Sequence, residues 1–197
     1  MRKGERTRHM ILEKAAPIFN SKGYSGTALA DLMQATGLEK GGIYRHFTSK
    51  EELAAAAFDH AWAVVSAPRF AALDEASGGM QRLKAMISMF AERPAKNMPG
   101  GCPLLNTAVE SDDTNPVLRI RAKAALDEWK LHITNAVEQG IREKQVRRDT
   151  DPDGVAVILI STLEGALMIS RLERDRRALE QAKIHLLRFV DSLAAAT

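Results

Sequence analysis

Residues 27–53 read Thr-Ala-Leu-Ala-Asp-Leu-Met-Gln-Ala-Thr-Gly-Leu-Glu-Lys-Gly-Gly-Ile-Tyr-Arg-His-Phe-Thr-Ser-Lys-Glu-Glu-Leu. Leu29, Leu32 and Met33 recur at helical spacing, and Gly37 interrupts the pattern where a sharp corner needs a residue without a side chain. A second short helical segment follows over about residues 39–46. Two short helices joined at a glycine corner have the layout of a helix-turn-helix. Leu32, Leu38 and Ile43 are expected to pack the pair together and against Phe19 and Phe47. The second helix then presents Lys40, Gly41, Gly42, Tyr44 and Arg45 to solvent. A helix so free of bulky side chains fits closely into a major groove. Thr27 is expected to cap the first helix of the pair. Ser49 is expected to cap the helix after it, with Glu51 and Glu52 in a first turn that favours carboxylates.

Working outward, apolar residues keep helical spacing nearly everywhere and strict alternation is rare, so the fold class is all-α with about nine helices. Ile11, Leu12, Ala15, Ala16, Ile18 and Phe19 make one face of a first helix that Gly23 ends. The fourth helix is rich in alanine and runs toward Leu73, with a kink or break expected at Pro68. A fifth covers residues 80–93, and residues 94–101, with two prolines and two glycines, form a loop. Pro103 opens a sixth helix, Asn115-Pro116 a seventh reaching about Lys144, and Asp151-Pro152-Asp153 an eighth. A ninth runs over about residues 175–196. The organisation expected is three short helices with small loops over 1–47, carrying the helix-turn-helix, and a bundle of longer helices over 48–197.

The chain has 197 residues, of which 45% are hydrophobic and 27% charged, enough apolar surface for a core without disulfides or structural metal. Mean hydropathy is −0.21, and the longest apolar stretch, 155–160, is far below the ~18 residues a membrane span needs. No apolar segment follows the opening Met-Arg-Lys-Gly-Glu-Arg, so a cytoplasmic protein is expected, with no membrane partner. The net charge of +3 is unevenly spread: residues 1–50 carry nine Lys and Arg against four Asp and Glu, for +5, leaving −2 on the rest. A basic end on a mildly acidic body suits a polyanion, although a solvated basic terminus has the same composition.

The run Thr-x-x-x-Asp-Leu … Gly-Leu-x-Lys-Gly-x-Ile-Tyr-x-His-Phe-x-Ser-Lys-Glu-x-Leu over residues 27–53 resembles the DNA-binding signature of the TetR family of bacterial regulators. Residues 11–24, Ile-Leu-x-Lys-Ala-Ala-x-x-Phe-x-x-x-Gly-Tyr, are similar to that family's first helix. The resemblance implies that Thr27 touches a phosphate, that Lys40, Gly41 and Gly42 approach base edges, and that Tyr44 and Lys50 hold the DNA backbone. Arg45 lies on the same face, and amides at Ser49 and Lys50 add a helix-terminus phosphate site. His46 and Phe47 would be structural. Two residues depart from the pattern: Met33 stands where alanine is commoner, and Glu39 replaces the usual serine cap.

The resemblance further implies that residues 48–197 are a ligand-binding and dimerisation domain, with a homodimer built from the last two helices and a double-stranded palindromic operator as partner. The apolar faces of those helices place Ile158, Leu159, Leu163, Ala166, Leu187 and Val190 at the seam; the same faces also suit helices that only complete the protomer's own core. It also implies a small-molecule effector, apolar or electrophilic, held among the middle helices. Met86, Met89, Phe90, Met98, Cys102, Leu105, Trp129, Ile133 and Met168 are the candidate lining; the same residues suit a plain core. Cys102, the single cysteine, has two readings: a thiolate at the cap of the sixth helix, or a small buried hydrophobe. His60, His132 and His185 are scattered, so neither a metal nor another cofactor is expected. No nucleophile–base set is visible, and the chain is not expected to be an enzyme. The rival readings are an all-helical thiol-handling enzyme or ligand-binding protein centred on Cys102, and a helical interaction protein without a ligand.

Overall fold

The computed structural model describes residues 2–92 and 99–195, without the Asp74 side chain. Most of the expected 94–101 loop, with Lys96 and Met98, therefore lies outside the described residues. Among the described residues the chain forms nine helices and no strand: α1 (Lys3–Gly26), α2 (Leu29–Thr36), α3 (Lys40–Tyr44), α4 (Lys50–Glu75), α5 (Gly79–Glu92), α6 (Pro103–Ser111), α7 (Pro116–Arg142), α8 (Pro152–Glu173) and α9 (Arg177–Ser192).

Local chemistry explains most of these boundaries. Gly23 leaves helical geometry at φ 76°, ψ 170°, three residues before α1 ends. Gly37 takes the left-handed conformation, φ 68° and ψ 17°, and its N–H donates to the Met33 carbonyl at 2.9 Å. Ser49 Oγ accepts the Glu52 N–H at 3.0 Å, while the Glu52 carboxylate accepts both the N–H and the hydroxyl of Thr48 at 2.6 Å. Those Thr48 bonds hold the Glu52 carboxyl below its ordinary pKa. Asn115 Oδ1 accepts the Leu118 N–H at 3.0 Å at the start of α7, and Asp151 accepts the Asp153 N–H at 3.1 Å beside Pro152.

Two expectations change. Thr27 does not cap α2: its hydroxyl turns back to the Gly23 carbonyl at 2.6 Å, and the residue is only 1% exposed. The cap position falls to Ala28, whose N–H is taken by the Asp31 carboxylate at 2.9 Å. Asp31 also accepts Lys22 Nζ at 2.6 Å, and that bond is the main reason its pKa is lowered. Pro68 does not end α4, which continues through it to Glu75.

The chain gathers into two compact units: residues 2–65 with 99–125, and residues 66–92 with 126–195. In the first, α1 packs on α2 and α6, and α2 on α3. Ile11, Ala15, Leu32, Ile43, Phe47, Leu53 and Ala57 are its buried centre. Phe19 and Tyr24 cover Ala54, Ala55 and Leu118 nearby.

In the second unit α8 packs on α9, and both meet α5. Leu83, Met86, Ile87, Trp129, Ile133, Leu159, Leu163, Leu186 and Val190 form its core, each at 0% exposure. Gly79 opens α5 directly against the α7 backbone, where an added Cβ would lie 2.2 Å from the Ala136 carbonyl oxygen and 2.3 Å from the Gly140 nitrogen. An antiparallel bridge joins Val146 to Ala194.

Helix α8 is apolar on two sides. Its inner side buries Val155, Ala156, Leu159, Leu163 and Ala166. Its outer side exposes Val157, Ile158, Met168, Ile169 and Leu172. A window of this 22-residue helix reaches a mean hydropathy of 1.8, long and apolar enough to cross a membrane by length and composition, although 39% of that window is buried within the fold. The six-residue apolar stretch in the sequence had understated it.

Candidate nucleic-acid interface and effector core

The short α3 helix is held from beneath by Ile43, fully buried, and by Phe47, over whose ring the Arg8 guanidinium lies at 4.7 Å. Its other side carries Lys40, Gly41 and Arg45 exposed, with Gly42 and Tyr44 half-buried. The two glycines differ in kind. A Cβ on Gly42 would meet the Leu38 side chain at 3.3 Å, so internal packing favours glycine there. A Cβ on Gly41 would meet nothing within 4 Å, and its backbone needs no positive φ. Among the described residues outside its own helical turn, nothing calls for glycine at 41.

Just beyond α3, the exposed Ser49 and half-buried Lys50 open α4. Lys50 Nζ donates to the Tyr24 carbonyl at 2.6 Å and sits 4.5 Å from the Tyr24 ring centroid. Two of its three donors remain for another acceptor. Lys40, Gly41, Gly42, Tyr44, Arg45, Ser49 and Lys50 thus fall on α3 and the start of α4. Thr27 does not join them through its side chain, which is buried. Arg2 at the cap of α1 and Lys3, Arg6 and Arg8 in its first turns are also exposed. Sequence reasoning missed the Lys50–Tyr24 link because its partners stand 26 residues apart.

In the second unit, Met86, Phe90 and Trp129 meet directly. The Phe90 and Trp129 rings stack at 5.5 Å and 17°, and the indole N–H donates to Met86 Sδ at 3.3 Å. Ile133 is buried one turn further along α7. Sequence reasoning overlooked Arg69, which is 2% exposed and lies over both rings, 4.6 Å from the Phe90 centroid and 5.5 Å from that of Trp129. The signal was present in the sequence: a lone cation between Pro68 and Phe70 in an alanine-rich helix. Glu164 is a second buried ionisable group in this unit.

Other expected lining residues lie elsewhere. Met168 is 50% exposed on the outer side of α8, because the helical phase that buries Leu163 and Ala166 turns it outward. Cys102 and Leu105 belong to the first unit. Cys102 stands at the cap position of α6 but is 1% exposed, and its side chain makes no capping hydrogen bond. Of the residues expected at a dimer seam, Leu159, Leu163, Ala166 and Val190 are instead buried in the protomer's own core, and Leu187 is half-buried. Ile158 alone of that set is exposed, at 43%. Among the described residues, no three His, Cys, Asp or Glu side chains are grouped to hold a metal ion.

A glycine-cornered helix pair with an exposed basic second helix defines a helix-turn-helix DNA-binding protein. Residues 11–57 match the family described as bacterial regulatory proteins, tetR family, and residues 79–186 match the tetracyclin repressor-like C-terminal domain. The chain belongs to the TetR family of transcriptional regulators, which are not enzymes. It is similar to a TetR transcriptional regulator from Chloroflexus aurantiacus, with 46% identity, full coverage of both chains and a TM-score of 0.92. A TetR-family regulator from Cytophaga hutchinsonii is 37% identical over 100% of this chain and 99% of the other, with a TM-score of 0.93. The transcriptional repressor DhaR of a Mycobacterium species is 28% identical over 88% of this chain and 87% of its own.

Proposed function

We propose that the protein is a cytoplasmic repressor that binds a palindromic operator as a homodimer and releases it when a small apolar or electrophilic effector binds. The observation that carries the DNA reading is Gly41, exposed between Lys40 and Gly42 in α3, where an added Cβ would meet nothing within 4 Å. Lys40, Gly41 and Gly42 approach base edges; Tyr44, Arg45, Ser49 and Lys50 meet backbone phosphates, and Thr27 contributes through its backbone alone. Repression is favoured by the similarity to DhaR, itself described as a repressor.

The outer side of α8 supports the dimer. Ile158, Ser161, Gly165, Met168 and Leu172 follow spacings of three and four residues, the pattern of a helix-packing seam. A Cβ on Gly165 would meet nothing within 4 Å of its own protomer, so a partner helix can come close there. The seam therefore runs through the exposed Ile158, Ser161, Met168 and Leu172 and the half-buried Gly165, with Ile169 and Ile184, rather than through Leu159, Leu163 and Val190.

The effector reading rests on the match of residues 79–186 to the tetracyclin repressor-like C-terminal domain, with the close-packed Met86, Phe90 and Trp129 as its candidate wall. The experiment is a mobility-shift titration on the intergenic DNA flanking the protein's own gene. A discrete, saturable shift that survives excess random-sequence competitor, on a fragment with an inverted repeat, is the expected result. Binding lost equally to excess random-sequence DNA and to the same excess of the unlabelled fragment would remove operator recognition.

A further inference from the structure

Helices α1 and α6 lie side by side within the first unit and exchange polar contacts in a fixed register. Asn106 Nδ2 donates to the backbone and side-chain oxygens of Asn20, both at 3.0 Å, across 86 residues of sequence. Four residues further along both helices, the Glu110 carboxylate accepts the Tyr24 N–H at 2.8 Å and the Ser25 N–H at 2.9 Å. Tyr24 and Glu110 are again 86 residues apart. These two N–H groups follow Gly23, whose φ of 76° breaks the helical ladder. A Cβ at Gly23 would sit 2.7 Å from Glu110 Oε2, so glycine is needed for the carboxylate to come this close. The turn fixed in this way carries the Tyr24 carbonyl to which Lys50 Nζ is bound.

We propose that Glu110, outside the helix-turn-helix, is a positioning residue for DNA binding: its carboxylate fixes the Tyr24–Ser25 turn, which holds the Lys50 ammonium at the start of α4 for a backbone phosphate. This rests on the DNA-binding reading above. Charge alone gives the opposite sign. Removing a negative charge near a polyanion site strengthens binding by simple electrostatics. Positioning makes the same removal weaken binding, because a glutamine amide places a donor against one of two N–H donors.

The test uses the full chain, a labelled random-sequence duplex and fluorescence anisotropy at several salt concentrations, with thermal melts to show that each variant is folded. Glu110→Gln is expected to weaken binding about fivefold and to lower the slope of log affinity against log salt by about 0.9 per protomer, the signature of one lost phosphate contact. Glu110→Asp keeps the charge but withdraws the carboxylate by one methylene, and it is expected to weaken binding in the same direction. In a Lys50→Ala background, Glu110→Gln is expected to cause no further loss. Binding by Glu110→Gln equal to or tighter than wild type overturns the proposal. So does an equal fractional loss in the Lys50→Ala background, which marks a residue that only stabilises the unit. If wild type shows no salt-dependent binding to the duplex, the DNA-binding reading itself fails and the proposal falls with it.

Discussion

Gly79→Ala tests how closely the second unit is built. The added methyl carbon would stand 2.2 Å from the Ala136 oxygen, 2.3 Å from the Gly140 nitrogen and 2.6 Å from the Gly140 Cα. All three are backbone atoms, so no side-chain rotation relieves the overlap. Ordinary contact begins near 3.4 Å, so the start of α5 must move by about 1.2 Å relative to α7. That movement strains the bond from the Gly79 N–H to Glu143 Oε2, now 3.2 Å. It also loosens the packing of Leu83, Met86 and Ile87, all fully buried on α5. Overpacking of this kind costs about 1–3 kcal/mol, and a clash borne entirely by backbone belongs at the upper end. Alanine's better helix propensity returns at most ~1 kcal/mol. The net loss is about 2 kcal/mol, a fall of about 4–8 °C in the melting temperature for a chain of this size. Thermal and urea unfolding followed by circular dichroism measure it. A variant that melts at or above wild type would falsify the close approach of α5 to α7.

Gly41→Ala is the contrasting case. Melting should be unchanged or raised by a few tenths of a kcal/mol, since nothing stands within 4 Å, while operator affinity in anisotropy titrations falls; unaltered affinity removes Gly41 from the interface. Ile169→Glu places a charge on the outer side of α8, and sedimentation should show a shift toward monomer; an unchanged dimer moves the seam elsewhere. Burial, then the neighbouring His9 ring at 5.4 Å, lowers the His60 pKa below the ordinary 6.5, with Glu13 opposing. The unfolded chain therefore binds this proton first, so stability present above pH 6.5 is lost as the pH falls. His60→Gln should flatten the melting-temperature profile on the acid side of neutrality, and a slope equal to wild type would show that His60 is not its source. Asp59 acts in the opposite sense at lower pH, since burial raises its pKa against the pull of Arg121.

The helix order could be read from the chain because its boundaries are local chemistry. Gly37, Ser49, Pro103, Asn115-Pro116 and Asp151-Pro152 each act within a turn of their own position. The α2 cap was misread for an equally local reason: Thr27 and Ala28 compete, and the contest is decided by Asp31 reaching back while the threonine hydroxyl finds Gly23. Residue types on α8 gave no way to divide its apolar positions between core and surface. Leu163 and Met168 are both hydrophobic, and only packing against α5 and α9 sends one inward and the other out. The Arg69–Phe90–Trp129 stack joins α4, α5 and α7, and the Glu110 carboxylate finds its partners 86 and 85 residues away. Spacing along the chain carries no trace of such pairs.

The shared offset of 86 residues between α1 and α6 bears on how this protein can recombine with its relatives. A crossover placed after residue 47 joins one parent's Gly23 turn to another parent's α6. The junction is silent only where the incoming helix brings an amide and a carboxylate four residues apart, in register with Asn20 and Tyr24. Otherwise two N–H groups are left facing an apolar or basic side chain. Chimeras that exchange DNA-reading ends should therefore carry α6 with α1, and inheritance of the two helices together is the condition under which a new reading head stays in working order.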